Sequence, residues 1–277
     1  MGDLWQLGHH SLLCGDALDP ASYAAVMRGD QAQMVFSDPP YNLASSAIGG
    51  KGKIKHRDFA MAAGEMSPQA FTAFLATAFS HTRAFSQDGS IHYYCMDWRH
   101  QREILDAAEP LFGPLRQLCI WAKDGAGMGT FYRSQHELIF VFKKGDNVRH
   151  INNFELGQHG RFRSNIWSYP AIDNELLKLH PTVKPVSLIA DAIRDCSHRQ
   201  GIVLDPFAGS GTIVIAAERT GRHARAIEID RKYVDVGVLR WQRVTGKEAV
   251  LGATGQTWGQ VRAERLSANA GEADHGL

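Results

Sequence analysis

The chain holds two short segments in which residue type and spacing suit chemistry, and the first is Met34-Val35-Phe36-Ser37-Asp38-Pro39-Pro40-Tyr41-Asn42. An apolar stretch runs straight into two prolines, which fix the backbone and donate no hydrogen bond. The turn therefore presents acceptors. An amino group conjugated with a planar ring becomes a nucleophile once its hydrogens are held by acceptors and its lone pair is freed from the ring. The Asp38 carboxylate and the Pro39 carbonyl can accept those hydrogens, Pro40 completes the rigid turn, and Tyr41 offers a face for stacking a planar base. An ordinary proline-stopped strand with a buried tyrosine is the plain alternative for so short a motif.

The second segment runs Gly201-Ile202-Val203-Leu204-Asp205-Pro206-Phe207-Ala208-Gly209-Ser210-Gly211-Thr212, which reads as a strand, a glycine turn and a helix start. Glycine lets the backbone approach a bound molecule closely, and Glu228, near the end of the next apolar run, suits ribose hydroxyls. Val214 stands where a dinucleotide fingerprint has its third glycine, and no Gly-Lys-Ser/Thr phosphate loop is present. The expected ligand is a nucleoside without a pyrophosphate, held by Asp205, Phe207, Gly209, Ser210, Gly211, Thr212 and Glu228.

Both motifs need strand ends to hold them. Short runs rich in β-branched or aromatic residues predict seven strands: Ser11 to Cys14, Gln33 to Ser37, Ser90 to Cys95, Gln117 to Ala122, Glu137 to Phe142, Gly201 to Leu204 and Ala224 to Ile229. Helical patterns alternate with them, so an α/β fold with a largely parallel sheet is expected. One helix is capped by Ser67 with Pro68 at its first position and buries Phe71, Phe74, Leu75, Ala78 and Phe79. A second starts at Pro185 with Leu188, Ile189, Ala192 and Ile193 as its apolar stripe, and a third follows the glycine turn.

Positions 42–65 and 146–179 break this rhythm and read as a lid loop and a binding segment. Residues 267–277 are small and polar and are expected to fray from a single domain spanning 1–266. The composition, 44% hydrophobic and 21% charged with a net charge of +1, is that of a globular protein, so nucleic-acid affinity must come from local basic clusters. No secretory signal or membrane span is visible, which makes a cytoplasmic location the expectation. Cys14, Cys95, Cys119 and Cys196 are scattered without metal or redox spacing and read as core thiols, and the 13 histidines show no metal-ligand spacing.

Taken in this order, the motifs resemble the amino-group DNA methyltransferases, and in particular their circularly permuted β class. There the D-P-P-Y motif precedes the F-x-G-x-G motif with a target-recognition region between, as Asp38 precedes Phe207 here. The likeness covers most of the chain. Cys14-Gly15-Asp16 is similar to the turn that contacts the cofactor's adenine, and His180-Pro181-Thr182-Val183-Lys184-Pro185 to the segment that caps its methionine part. Ile120 to Lys123, Tyr132-Arg133 and His136-Glu137 match recurring family residues, and the opening Gly2 to His9 is similar to methylase modules that follow a ParB-like nuclease domain in some relatives.

The resemblance implies a Rossmann-like seven-stranded methyltransferase sheet, circularly permuted, with inserted DNA-recognition loops. Gly201 would begin its first strand, Ala224 its second and Ser11 its third. It implies S-adenosylmethionine as cofactor, with Asp16, Lys184 and Pro185 joining the cofactor site, and double-stranded DNA as partner. No metal is required, and a homodimer is left open. Lys51, Lys53, Lys55 and Arg57 read as a phosphate-contacting lid, with a solvated loop as the plain alternative. Arg133, Lys143, Lys144, Arg149, Arg161 and Arg163, interleaved with Phe131, Tyr132, Phe154, Phe162 and Trp167, read as a second basic region that contacts the DNA backbone and stacks beside a flipped base.

A cytosine-C5 methyltransferase is excluded because it needs a Pro-Cys nucleophile, and none of the four cysteines follows proline. RNA and protein-glutamine methyltransferases with a related turn carry the glycine motif first. A dehydrogenase fails on the missing third glycine. Asp38, where cytosine-N4 members of the family more often have serine, favours adenine N6. A cytosine-N4 enzyme and a non-catalytic DNA-binding derivative stay open.

Overall fold

A computed structural model describes residues 2–43, 64–127, 131–154, 163–170 and 184–274. Ten strands form one sheet: β1 (Leu4–Leu7), β2 (His10–Cys14), β3 (Ala32–Ser37), β4 (Ser86–Met96), β5 (Gln117–Ala122), β6 (His136–Lys143), β7 (Ile166–Ser168), β8 (Ile202–Asp205), β9 (His223–Glu228) and β10 (Val250–Leu251). Their spatial order is β10-β1-β2-β9-β8-β3-β4-β6-β5-β7. The centre, from β2 to β4, is parallel, whereas β6 runs antiparallel between β4 and β5.

The helices among the described residues are α1 (Pro20–Met27), α2 (Pro68–Ala84), α3 (Gln101–Phe112), α4 (Val186–Cys196), α5 (Thr212–Thr220), α6 (Arg231–Thr245) and α7 (Trp258–Asp274). They cover both faces of the sheet. Met34 and Phe36 of β3 face a core shared with α4, α5 and α6, while Val35 between them faces a second core built with α1, α2 and α3. Alternate residues of one strand thus enter different cores, and this is why the central strands read as unbroken apolar runs. Ser67 caps α2 through its side chain, and Phe71, Phe74, Leu75, Ala78 and Phe79 are buried as expected.

Three strands extend the expected seven to ten. β1, β7 and β10 have only four, three and two residues, and each gains its hydrogen bonds from a neighbour distant in sequence or across a tight turn. Gly8, at φ 62°, makes the two-residue turn that folds β1 back on β2. The helix α7, anchored at its start by Trp258 and Val261, runs through Asp274. All four cysteines are buried. Among the described residues, no helix is long and apolar enough to cross a membrane.

The strand order brings the two motifs together. The chain leaves β3 toward β4 on one side and β8 toward β9 on the other, so the carboxyl ends of β3 and β8 flank a topological switch point, where open α/β sheets bind ligands. Across it the Ser37 hydroxyl donates to Asp205 Oδ1 at 3.2 Å.

Candidate active site

Asp38 follows β3 directly and meets a buried chain of charges. Its Oδ2 accepts from the Lys184 ammonium at 2.6 Å, Lys184 lies 2.8 Å from Glu137 Oε2, and Glu137 Oε1 accepts from Lys123 at 2.6 Å. The Tyr41 hydroxyl donates to Asp38 Oδ1 at 2.5 Å and lies 3.2 Å from Glu137 Oε2. Each partner comes from a different element. Glu137 opens β6, whose antiparallel course starts where β3 and β4 finish; Lys123 follows β5; and Lys184 precedes α4, whose first turn is set by Pro185. Trp121, paired with Glu137 in the sheet, lies beneath both ammonium groups, its ring centroid 4.7 Å from Lys123 Nζ and 5.9 Å from Lys184 Nζ.

Burial sets the protonation of this cluster. It pushes the Asp38 carboxyl above the ordinary range, against the pull of the Lys184 ammonium, and Glu137 adds to the push. Burial would raise Glu137 as well, but Lys184 and Lys123 together hold it at about 2. Lys184 stays charged because Asp38 and Glu137 more than offset its own desolvation. Burial and the two carboxylates keep the Tyr41 hydroxyl protonated and so a donor.

Beside this cluster the ends of β8, β9 and β2 form a second group of acids. The Glu228 carboxylate accepts from the Gly209 amide at 2.7 Å and the Asp230 amide at 2.8 Å. Asp205 Oδ1 accepts from the Phe207 amide at 3.0 Å, and the half-buried Asp16 accepts from the Leu18 amide at 2.9 Å. Among the described residues no cation neutralises Asp205 or Glu228, so burial lifts Asp205 to about 8 and Glu228 to about 7 despite these donors. Gly209 and Gly211 have positive φ, and a Cβ on Gly211 would meet Gly237 Cα at 2.9 Å. The Ser210 and Thr212 hydroxyls face the rear of the turn, where Arg240 Nη1 donates to them at 2.6 and 3.2 Å. Phe207 is partly buried against Phe74, ring centroids 5.9 Å apart.

The sequence matches the DNA methylase family over residues 32–238, a span that starts with β3 and includes both motifs. The chain belongs to this family. A relative, the DNA adenine methyltransferase YhdJ of Escherichia coli K12, is 25% identical over 256 residues, covering 83% of this chain and 82% of that protein. Two solved structures share the fold. The M1.HpyAVI-SAM complex has a TM-score of 0.60 at 17% identity, covering 83% of this chain and 97% of that one. The cytosine-N4-specific PvuII DNA methyltransferase has a TM-score of 0.63 at 15% identity, covering 86% and 90%.

In this DNA methylase, Lys51, Lys53, Lys55 and Arg161 lie outside the described residues, as do most of the expected lid and part of the 146–179 segment. The second basic region is not one surface. Arg133 is exposed on the β5–β6 connection, at the same sheet edge as Asp38, and its guanidinium donates to the carbonyls of Gly127 and Ala126. Lys143 and Lys144 end β6 at the opposite edge. Arg163 turns inward: two aspartates on α4 attract it, with Asp195 at 2.9 Å and Asp191 at 3.6 Å, and it stacks on Trp167. Its charge is neutralised within the chain rather than presented to a phosphate.

Lys184, expected with the cofactor residues, places its ammonium among the acceptors of the Asp38 turn. In the sequence Glu137 and Lys123 stand out only as positions that recur in the family, Asn42 has no assigned role, and Arg240 is not singled out. Asn42, at φ 50°, donates to the Met66 carbonyl at 2.9 Å and accepts from the Gly64 and Met66 amides, so it ties the Asp38 turn to the chain re-entering after residue 63. The only signal for Glu137 was an acid at the head of the apolar run Leu138–Phe142, at a position that recurs in the family.

Proposed function

We propose that this DNA methylase transfers the methyl group of S-adenosylmethionine to the exocyclic N6 of adenine in double-stranded DNA. The observation that carries the reading is the meeting of an acceptor turn, Asp38 to Tyr41, with a glycine-and-acid cradle across one switch point, tied by Ser37 and Asp205. The cradle fits the cofactor. Glu228 is anchored from within by two amides and keeps lone pairs for ribose hydroxyls, and Asp16 follows just beyond the adjacent strand β2. Gly209 and Gly211 place no side chain over the turn. When bound there, S-adenosylmethionine supplies an electrophilic methyl group on a sulfonium.

The chain's own residues would do the rest. A base turned out of the duplex stacks on Tyr41, and Asp38 with the Pro39 carbonyl accepts the two amino hydrogens. These bonds strengthen as the nitrogen becomes tetrahedral and positive, so they favour the transition state over the bound substrate. Asp38 at the head of the motif supports adenine, as does the likeness to an adenine methyltransferase. Lys51, Lys53 and Lys55, with Arg133 at the same edge, are read as phosphate contacts, and the order β2-β9-β8-β3 as the permuted arrangement. Losing the three lysines should flatten the dependence of log affinity on log salt by about 0.9 per contact.

Digesting DNA methylated with labelled cofactor and separating the nucleosides tests the reading. Label in N6-methyladenine is expected. Label in N4-methylcytosine would transfer the assignment to cytosine, and label confined to RNA or protein would end the DNA reading.

A further inference from the structure

Resting on the reading of Asp38 as the acceptor of the amino hydrogens, we propose that Lys184 is a positioning residue that keeps Asp38 ionised and aimed, with Glu137 as its counterweight. An ammonium has three donor hydrogens. Those of Lys184 face Asp38 Oδ2 at 2.6 Å, Glu137 Oε2 at 2.8 Å and the Tyr41 hydroxyl at 3.1 Å, and its side chain is 4% exposed. Its donors are thus used within the acceptor cluster, and none is left for the carboxylate of a cofactor. The Tyr41 and Trp121 rings, 5.5 and 5.9 Å from Nζ, close over the charge.

Among the described residues, the charged or titratable groups near Asp38 then each have a direction. Lys184, from the segment before α4, favours the carboxylate. Glu137 from β6 opposes it and is itself tied to Lys123 after β5. Asp205 from β8 lies close enough for mutual repulsion with Asp38, while the Cys95 thiol of β4 is kept neutral by burial and the Tyr41 hydroxyl donates from the turn itself. Without the Lys184 charge, burial, Glu137 and Asp205 all push a proton onto Asp38, and a protonated acid accepts amino hydrogens poorly. Without the Glu137 charge, Lys184 acts on Asp38 alone and the carboxylate persists to lower pH.

The two removals therefore shift the acid limb of activity in opposite directions, which loss of packing cannot do. The test measures kcat against pH on DNA at saturating S-adenosylmethionine for Lys184→Met, Lys184→Arg and Glu137→Gln, with calorimetric cofactor affinity for each. Lys184→Met should move the acid limb up by about one unit or more, with about a tenfold loss of kcat below the new limb. Its cofactor affinity should stay near wild type. Lys184→Arg should restore the limb in part, and Glu137→Gln should move it down.

An unmoved limb in these variants, or a cofactor affinity that collapses in Lys184→Met while the limb stays, would return Lys184 to the cofactor site and overturn the proposal. If Lys184→Met does not fold, the sign of the Glu137→Gln shift decides: down supports the proposal, unmoved or up contradicts it. Full turnover by Asp38→Ala would instead defeat the underlying reading of Asp38.

Discussion

Two groups of carboxylates share one edge of the sheet and are built on opposite principles. Among the described residues, Asp205 and Glu228 are held by amide and hydroxyl donors without a cation, and burial lifts them to about 8 and about 7. Glu137 is as deeply placed, yet two lysines hold it at about 2. Hydrogen bonds from neutral donors thus orient a buried acid without fixing its charge, whereas two ammonium groups together hold Glu137 charged. The cradle depends on backbone shape and on acids that can take or lose a proton near neutrality. In the acceptor cluster two lysines hold Glu137 ionised across the same range, while Lys184 opposes the rise that burial gives Asp38.

The largest effect expected from breaking this contrast is on the cradle's backbone. Gly211→Ala puts a Cβ 2.9 Å from Gly237 Cα at a φ of 75°, so both overpacking and strain oppose it. Denaturant unfolding should show a loss of about 2–4 kcal/mol, with cofactor binding impaired. A change of similar size in the acceptor cluster should instead spare stability and fall on turnover.

A pH titration of stability separates the groups next. For an acid whose folded pKa is raised, the folded state holds the proton more tightly, so stability is lost as pH climbs from the unfolded value toward the folded one. Between pH 6.5 and 8.5 the ligand-free protein should lose on the order of 2–3 kcal/mol from Asp205 and Glu228. The buried His10 and His92, depressed to about 4 and about 3, stay neutral in the folded state while their unfolded counterparts shed protons at the low end of this window, which offsets less than about 1 kcal/mol of the loss. Glu137, with its folded pKa lowered, contributes stability that is lost only as pH falls toward 2. Asp205→Asn should flatten the decline seen in thermal unfolding, and a decline that persists in it would place the titrating group elsewhere.

Tyr41 offers a smaller lever in the acceptor cluster. Tyr41→Ala should cost about 1–3 kcal/mol in kcat/KM through lost stacking. Tyr41→Phe, which keeps the ring and loses the hydroxyl between Asp38 and Glu137, should cost about 1 kcal/mol. Equal losses would mean that the hydroxyl matters more than the ring. The smallest signal is a fraction of a proton: ribose hydroxyls donating to Glu228 favour its ionised form, so cofactor binding near pH 6.5 should release protons. Calorimetry in buffers of different ionisation heat detects this, and Glu228→Gln should abolish it.

Much of this arrangement is legible in the sequence, and the boundary has a physical cause. The seven central strands announce themselves because burial on both faces demands unbroken apolar runs, and Asp38 and Asp205 stand at the ends of two of them. β1, β7 and β10 are too short to carry a pattern and exist through pairing with neighbours. The acceptor cluster depends on strand order: Lys184 meets Asp38 from 146 positions away, and Glu137 joins them only because β6 runs backwards beside β4. Local motifs name Lys184 but not its partners. Arg163 shows the converse, since a basic residue among aromatics reads as a phosphate contact until the aspartates of α4 are seen beside it.

The claim on which the rest depends is that Asp38 accepts the amino hydrogens of the base. Single-turnover methyl transfer by Asp38→Ala, with DNA and S-adenosylmethionine both saturating, tests it most directly, because Lys184 keeps Glu137 and Tyr41 as partners and the fold should survive. The account predicts a rate at least about 100-fold below wild type, the cost of about 3 kcal/mol expected for one well-placed transition-state hydrogen bond. A rate within a few-fold of wild type would contradict it.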